Sequence, residues 1–282
     1  MMLKLTKSIA IIMFMAVCLN VLAQKETPPP GYENLPKLSV EDSIGLVNLP
    51  EITMPDWLKG PNAKILPSIV DNSQHIYWRP VFAQIQYECG QASGVGLGFT
   101  YAINRLRDLP SNDPQNQYPT HFVWNFGNGG DGWYGVSYFH SFEIIKREGT
   151  PNVIDFGGMT GTGPEMWMTG YDKYYNAMHN RIADVYKIDL TTEEGINTLR
   201  NWIDNHLDGS EVGGVANFYT NAPYGMPTLP SGTPEAGKYV VTSWGYANHG
   251  LTISGYHDSI RWDYNSDGQY TNDIDLNGDG EI

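Results

Sequence analysis

Thiols are nearly absent from this chain of 282 residues: there are two cysteines, Cys18 and Cys89. Cys18 lies in a segment with the look of a removable leader, which leaves Cys89 with no partner in its own chain and excludes an intrachain disulfide as a source of stability. Basic residues are also scarce, 17 against 31 acidic ones, for a net charge of −14. That balance argues against nucleic acid as a partner, because phosphate binding draws on clustered lysine and arginine. Beyond the leader, no apolar run is long enough to span a bilayer.

Residues 1–23 read as a secretory signal. Lys4 and Lys7 supply the positive start, Ile9 to Leu19 the apolar stretch, and Val21-Leu22-Ala23 a small-residue cleavage site before Gln24. Lipid attachment at Cys18 is the competing reading, but Val17 stands where a small residue is expected. Cleavage removes two lysines and no acid, so the mature chain is two units more negative still. The expectation is an exported protein, secreted, periplasmic or held at the cell surface. Residues 24–64 are rich in proline, with Pro28, Pro29, Pro30, Pro36, Pro50 and Pro55. They read as an extended arm, either a strap over the surface or a removable pro-segment.

After Cys89, the residues Ala92, Val95, Phe99, Ala102 and Leu106 recur at steps of three and four, the pattern of one helix face, ending before Pro110. Gly94, Gly96 and Gly98 cost helix propensity, which predicts close packing against another element. A second helix is expected after Thr191, with Ile196, Leu199, Ile203 and His206 on one face and Gly209 as its stop. Strand-like runs follow at Val212–Tyr219, Lys238–Trp244 and Leu251–Tyr256. Helices first and strands later describe an α+β protein.

An unpaired cysteine at the start of a helix is where a thiolate is best stabilised, and a histidine beside it can take up and return the proton. His249 opens the strand-like run Asn248-His249-Gly250-Leu251-Thr252-Ile253, 160 residues after Cys89. Gln84 can offer a side-chain amide, and the Cys89 amide a second donor, to an oxyanion formed during acyl transfer.

The run Gln84…Cys89-Gly90-Gln91-Ala92-Ser93 before a helix, and Asn248-His249-Gly250-Leu251-Thr252-Ile253-Ser254-Gly255-Tyr256 far downstream, resemble the papain-like cysteine peptidases. Leu66-Pro67-Ser68-Ile69-Val70-Asp71 resembles the start of that family's mature domain. The resemblance covers roughly residues 65–257. It implies a helical domain carrying Cys89, a β-rich domain carrying His249, and a cleft between them that takes an extended peptide or protein substrate. Cys89, His249 and Gln84 are then the catalytic set, and residues 65–262 the papain-like domain.

Two departures stand out. The family's run has two cysteines, the second being the nucleophile. If Cys89 matches the first, Gln86 becomes the oxyanion glutamine and Ala92 stands at the nucleophile position, which describes a dead enzyme. The register with Cys89 as nucleophile keeps Gln84 near its expected spacing. The family's orienting asparagine, in an Asn-Ser-Trp-Gly run, is not found after His249, and Thr242-Ser243-Trp244-Gly245 lies before it. The chain breaks off within a motif, so the asparagine is expected beyond Ile282. A catalytically silent surface or adhesion protein, using the cleft to bind peptides or proteins, is the alternative.

That last motif is a pair of acidic loops in residues 263–282. Asp263-Tyr264-Asn265-Ser266-Asp267-Gly268 and Asp275-Leu276-Asn277-Gly278-Asp279-Gly280 place oxygen donors at positions 1, 3 and 5 and glycine at 6, as calcium loops do. Asp263, Asn265, Asp267, Asp275, Asn277 and Asp279 are the expected calcium ligands, with acidic turns that hold no metal as the competing reading. The aromatic and glycine-rich run Trp124 to Tyr134 suits a cleft wall or a packed surface loop. His121, His140 and His179 show no metal-ligand spacing and are assigned no site.

Overall fold

The computed structural model describes residues 10–14, 40–60, 64–159, 167–220, 228, 231, 236–239, 248–258, 260–261 and 267–269. In chain order its elements are β1 (Ala10–Phe14), α1 (Val40–Val47), β2 (Ile69–Asp71), α2 (Cys89–Gln91), α3 (Thr100–Arg107), α4 (Thr120–Trp124), α5 (Tyr138–Glu148), α6 (Val153–Phe156), α7 (Tyr171–Ala177), β3 (Asp184–Ile188), α8 (Glu193–Asn205), β4 (Ala216–Thr220), β5 (His249–Ile253) and β6 (Gly255–His257). Helix and sheet are mixed, the helices mostly preceding the strands, so the fold class is α+β.

A π-helical stretch, Ala92–Phe99, joins α2 to α3 and makes one helix of Cys89 through Arg107. The Thr100 amide reaches back to the Val95 carbonyl, and its hydroxyl donates to the same oxygen at 3.0 Å. Such wide turns insert a residue without ending the helix and are frequent at functional sites. Val95, Phe99 and Ile103 are buried, packed with Phe122, Val123, Tyr138, Phe142 and Ile145 of α4 and α5. The expected close packing of the glycines is present. A Cβ on Gly94 would stand 2.5 Å from the Tyr138 side chain, and one on Gly96 2.5 Å from the Phe82 ring.

A four-stranded sheet has the order β3-β1-β4-β5, with β1 parallel to both its neighbours and β4 antiparallel to β5. Strand β1 comes from within the segment expected to be a leader. The register of β4 with β5 sets Thr220 opposite His249 and Asn217 opposite Thr252. The run expected as one strand over Leu251–Tyr256 turns a corner at Ser254. β5 ends at Ile253, and β6 pairs antiparallel with β2 in a separate two-stranded sheet. The expected strand at Lys238–Trp244 lies mostly outside the described residues.

Helix α8 begins as expected, with the Thr192 hydroxyl accepting from the Gly195 amide at 3.0 Å. Its buried face is Leu199, Trp202 and Ile203, whereas Ile196 is 45% exposed. The helix stops before Gly209, because His206 and Leu207 both take left-handed backbone angles. The His206 ring lies tilted against Trp202, with ring centroids 3.8 Å apart. Trp202 anchors a second apolar cluster with Leu58, Ile188, Leu207 and Ala216.

Part of the proline-rich arm is structured. Helix α1 buries Leu46 in the cluster around the central helix, and Pro50 and Ile52 exchange backbone hydrogen bonds with Lys187 of β3. Among the described residues, no helix is long and apolar enough to cross a membrane.

Candidate active site

Cys89 is the first residue of the central helix, and β5 crosses directly over that helix end. A Cβ on Gly250 would lie 3.2 Å from the Cys89 carbonyl oxygen, 3.2 Å from the Gly90 Cα and 2.7 Å from the Ser93 hydroxyl oxygen. Only a glycine lets the strand approach so closely. Asn217 helps to hold it there: its buried side-chain amide donates to the Ser93 carbonyl at 2.9 Å and to the Thr252 hydroxyl at 2.9 Å. The helix start and the His249 strand are thus tied through a third element, β4.

The Cys89 thiol is partly buried and donates to the Asn248 carbonyl at 3.9 Å. Burial raises its pKa above that of a free thiol. Amides of Gly250, Gly90 and Cys89 itself act in the opposite direction, and the neighbouring Glu88 charge adds to the rise. Burial lowers the pKa of His249. Both shifts favour a neutral thiol and a neutral imidazole over a thiolate–imidazolium pair.

Gln84 is exposed, and its side-chain amide donates to the Gln86 carbonyl at 3.0 Å. Gln86 takes a left-handed backbone with φ 61°, and its side chain lies against Gly132. Ala92 sits one turn into the helix, its amide bonded to the Glu88 carbonyl at 2.8 Å, so Cys89 and not Ala92 occupies the helix start.

The aromatic and glycine-rich loop docks beside this segment. The Tyr87 amide donates to the Gly132 carbonyl at 3.3 Å, and the Trp133 ring meets Tyr87 edge-on at 5.4 Å. Trp124 is fully buried, with its indole N–H on the Tyr134 carbonyl at 3.0 Å, whereas Trp133 and Tyr134 face solvent.

Sequence reasoning missed Glu88 and passed over His121. Both are almost fully buried, and their side chains approach to 3.3 Å. Glu88 also accepts from the Ile85 amide at 2.9 Å. Burial raises its pKa to about 7, against the pull of the Ile85 amide and the Thr120 hydroxyl. A glutamate directly before the cysteine was the available signal, but its burial is a tertiary fact.

Of the expected calcium ligands, Asp263, Asn265, Asp275, Asn277 and Asp279 lie outside the described residues. Asp267 is exposed and accepts from the Gln269 amide at 2.7 Å, and Gly268 has the positive φ of 84° that a sharp loop turn needs. Among the described residues, no group of three or more His, Cys, Asp or Glu side chains gathers as a metal site.

No sequence family and no curated protein matches the chain. Among solved structures, it is similar to xylellain, a cysteine protease from Xylella fastidiosa, at 13% identity and a TM-score of 0.43, over 76% of this chain and 78% of that one.

Proposed function

We propose that the chain is an exported, papain-like cysteine peptidase acting through Cys89 and His249. The observation that carries this reading is the crossing of β5 over the start of the central helix, which brings the backbone of Asn248 and Gly250, on either side of His249, against Cys89. With both groups neutral at rest, His249 acts as a general base. It takes the thiol proton as Sγ attacks the peptide carbonyl, and the carbonyl electrons move onto oxygen. Collapse of the tetrahedral oxyanion expels the amine, which takes the proton from the imidazolium and leaves a thioester on Cys89. Water, activated by the same imidazole, then releases the acid. The Cys89 amide and Gln84 are the donors for the oxyanion, and Gln84 must give up its bond to Gln86 to serve. Calcium held by the loops of 263–282 is proposed as a structural ion.

A second reading, a peptide-binding protein without turnover, draws on two observations: the raised thiol pKa and the engagement of the Gln84 amide by Gln86. Hydrolysis of a fluorogenic peptide library by the protein, Cys89→Ala and His249→Ala, paired with iodoacetamide labelling against pH, separates the two. Turnover lost in both variants, with Cys89 labelled in the folded protein, is the expected result. A Cys89 that labels only after denaturation overturns the peptidase reading.

A further inference from the structure

One buried ionisable pair is unused by the acyl-transfer scheme, and it sits one residue from the nucleophile. The Glu88 carboxyl is fully buried at the foot of the central helix, meets His121 of α4 at 3.3 Å and accepts from the Ile85 amide at 2.9 Å. Ile85 lies next to Gln84, so this bond fixes the loop that carries the oxyanion donor. His121 is equally enclosed, with its ring against Trp124 at 4.6 Å. Other titratable groups on elements packed against α2 are His249 on β5, and Tyr138, His140, Glu143, Lys146, Arg147 and Glu148 on α5. Among the described residues, none but His121 comes within ion-pair distance of Glu88.

Resting on the peptidase reading for its consequence, we propose that Glu88 and His121 form a positioning pair for the active site: the carboxyl clamps the Gln84 loop through Ile85, and the protonation of the enclosed pair decides whether a negative charge stands beside the Cys89 thiol. With one titrating proton bound the pair is neutral overall. Once it leaves, the pair is anionic and opposes formation of a thiolate in a setting where water screens poorly.

The test is iodoacetamide labelling of Cys89 against pH in the protein, Glu88→Gln and Glu88→Ala. Glutamine keeps an acceptor for Ile85 but cannot carry charge. Glu88→Gln is therefore expected to label about tenfold faster near pH 8, the effect of a thiol pKa lower by one unit. Glu88→Ala should label faster as well, yet lose more peptide turnover than Glu88→Gln because the clamp is gone. Superposable labelling curves for the protein and Glu88→Gln, both folded by near-ultraviolet circular dichroism, overturn the proposal. NMR of the unaltered protein gives an arm independent of the variants' folding. The Glu88 carboxyl and His121 imidazole resonances should shift over one common pH range, and separate ranges would refute the pairing. Labelling needs no turnover, so a protein without peptidase activity that still shows the shift sinks the peptidase reading alone.

Discussion

Replacing Glu88 with glutamine should change how stability depends on pH. The folded protein holds the Glu88 proton to about pH 7, against 4.5 for an ordinary glutamate. A carboxyl whose pKa rises on folding binds its proton more tightly in the native state. Its contribution is therefore fully present below pH 4.5 and is lost as pH climbs through about 7. At about 1.4 kcal/mol per unit, that loss reaches about 3 kcal/mol once Glu88 is ionised. Protonation of His121 beside it would reduce the loss, so about 3 kcal/mol is the upper end. Glutamine fills the same space, accepts from Ile85 and never ionises. Near pH 4.5 the protein and Glu88→Gln should melt within a degree or two of each other, and toward pH 8 the variant should melt roughly 6–12 °C higher, at 2–4 °C per kcal/mol for a chain of this size. Calorimetric scans of both proteins across that range are the assay. Melting curves that stay parallel with pH would mean that Glu88 is not an enclosed acid.

Gln84→Ala should cut peptide turnover about 10²-fold through loss of one oxyanion donor, while Gln86→Ala has little effect. A loss confined to Gln86 would transfer the oxyanion role to Gln86, and equal losses would leave neither glutamine as the specific donor. His206 is held down to about pKa 3 by burial and the Arg105 charge, so its contribution to stability is present above 6.5 and is lost as pH falls through about 3. His206→Asn, which keeps a residue tolerant of left-handed backbone, should flatten that acid limb in a urea titration, and an unchanged limb would assign acid unfolding to other groups. Calcium at a hundredfold excess over its dissociation constant should stabilise the protein by about 2.7 kcal/mol if the 263–282 loops bind it only when folded. A melting midpoint equal with calcium and with chelator, and no heat of binding at millimolar calcium, would reduce those loops to acidic turns.

The central helix was legible because its apolar residues repeat at helical steps and its glycines announced close packing. Its π-helical middle was not, since the same residues fit an ordinary α-helix and only the surrounding contacts select the wider turn. The face of α8 departs from expectation at Ile196, whose spacing matches the buried positions but which is left 45% exposed. Its end also departs from expectation: Gly209 is the better local stop, yet His206 and Leu207 take left-handed backbone earlier, with the His206 ring against Trp202. The single strand expected over Leu251–Tyr256 is divided because Ser254 turns the chain from one sheet to the other, and pairing partners, not local propensity, decide that.

Sequence alone determined that Cys89 stands unpaired at a helix start, that His249 opens a strand, and that helices precede strands. The first two are local properties, set by residue type and period, and the third holds only in part, since β1 and β2 come before most of the helices. The tertiary structure alone decided that β5 crosses that helix with Gly250 against Cys89, that Gln84 bonds Gln86, and that Glu88 is sealed against His121. These depend on segments far apart in the chain meeting, and on water being excluded where they meet. Exclusion of water is what shifts the ionisation of Glu88, Cys89 and His249, and no spacing along the chain records it.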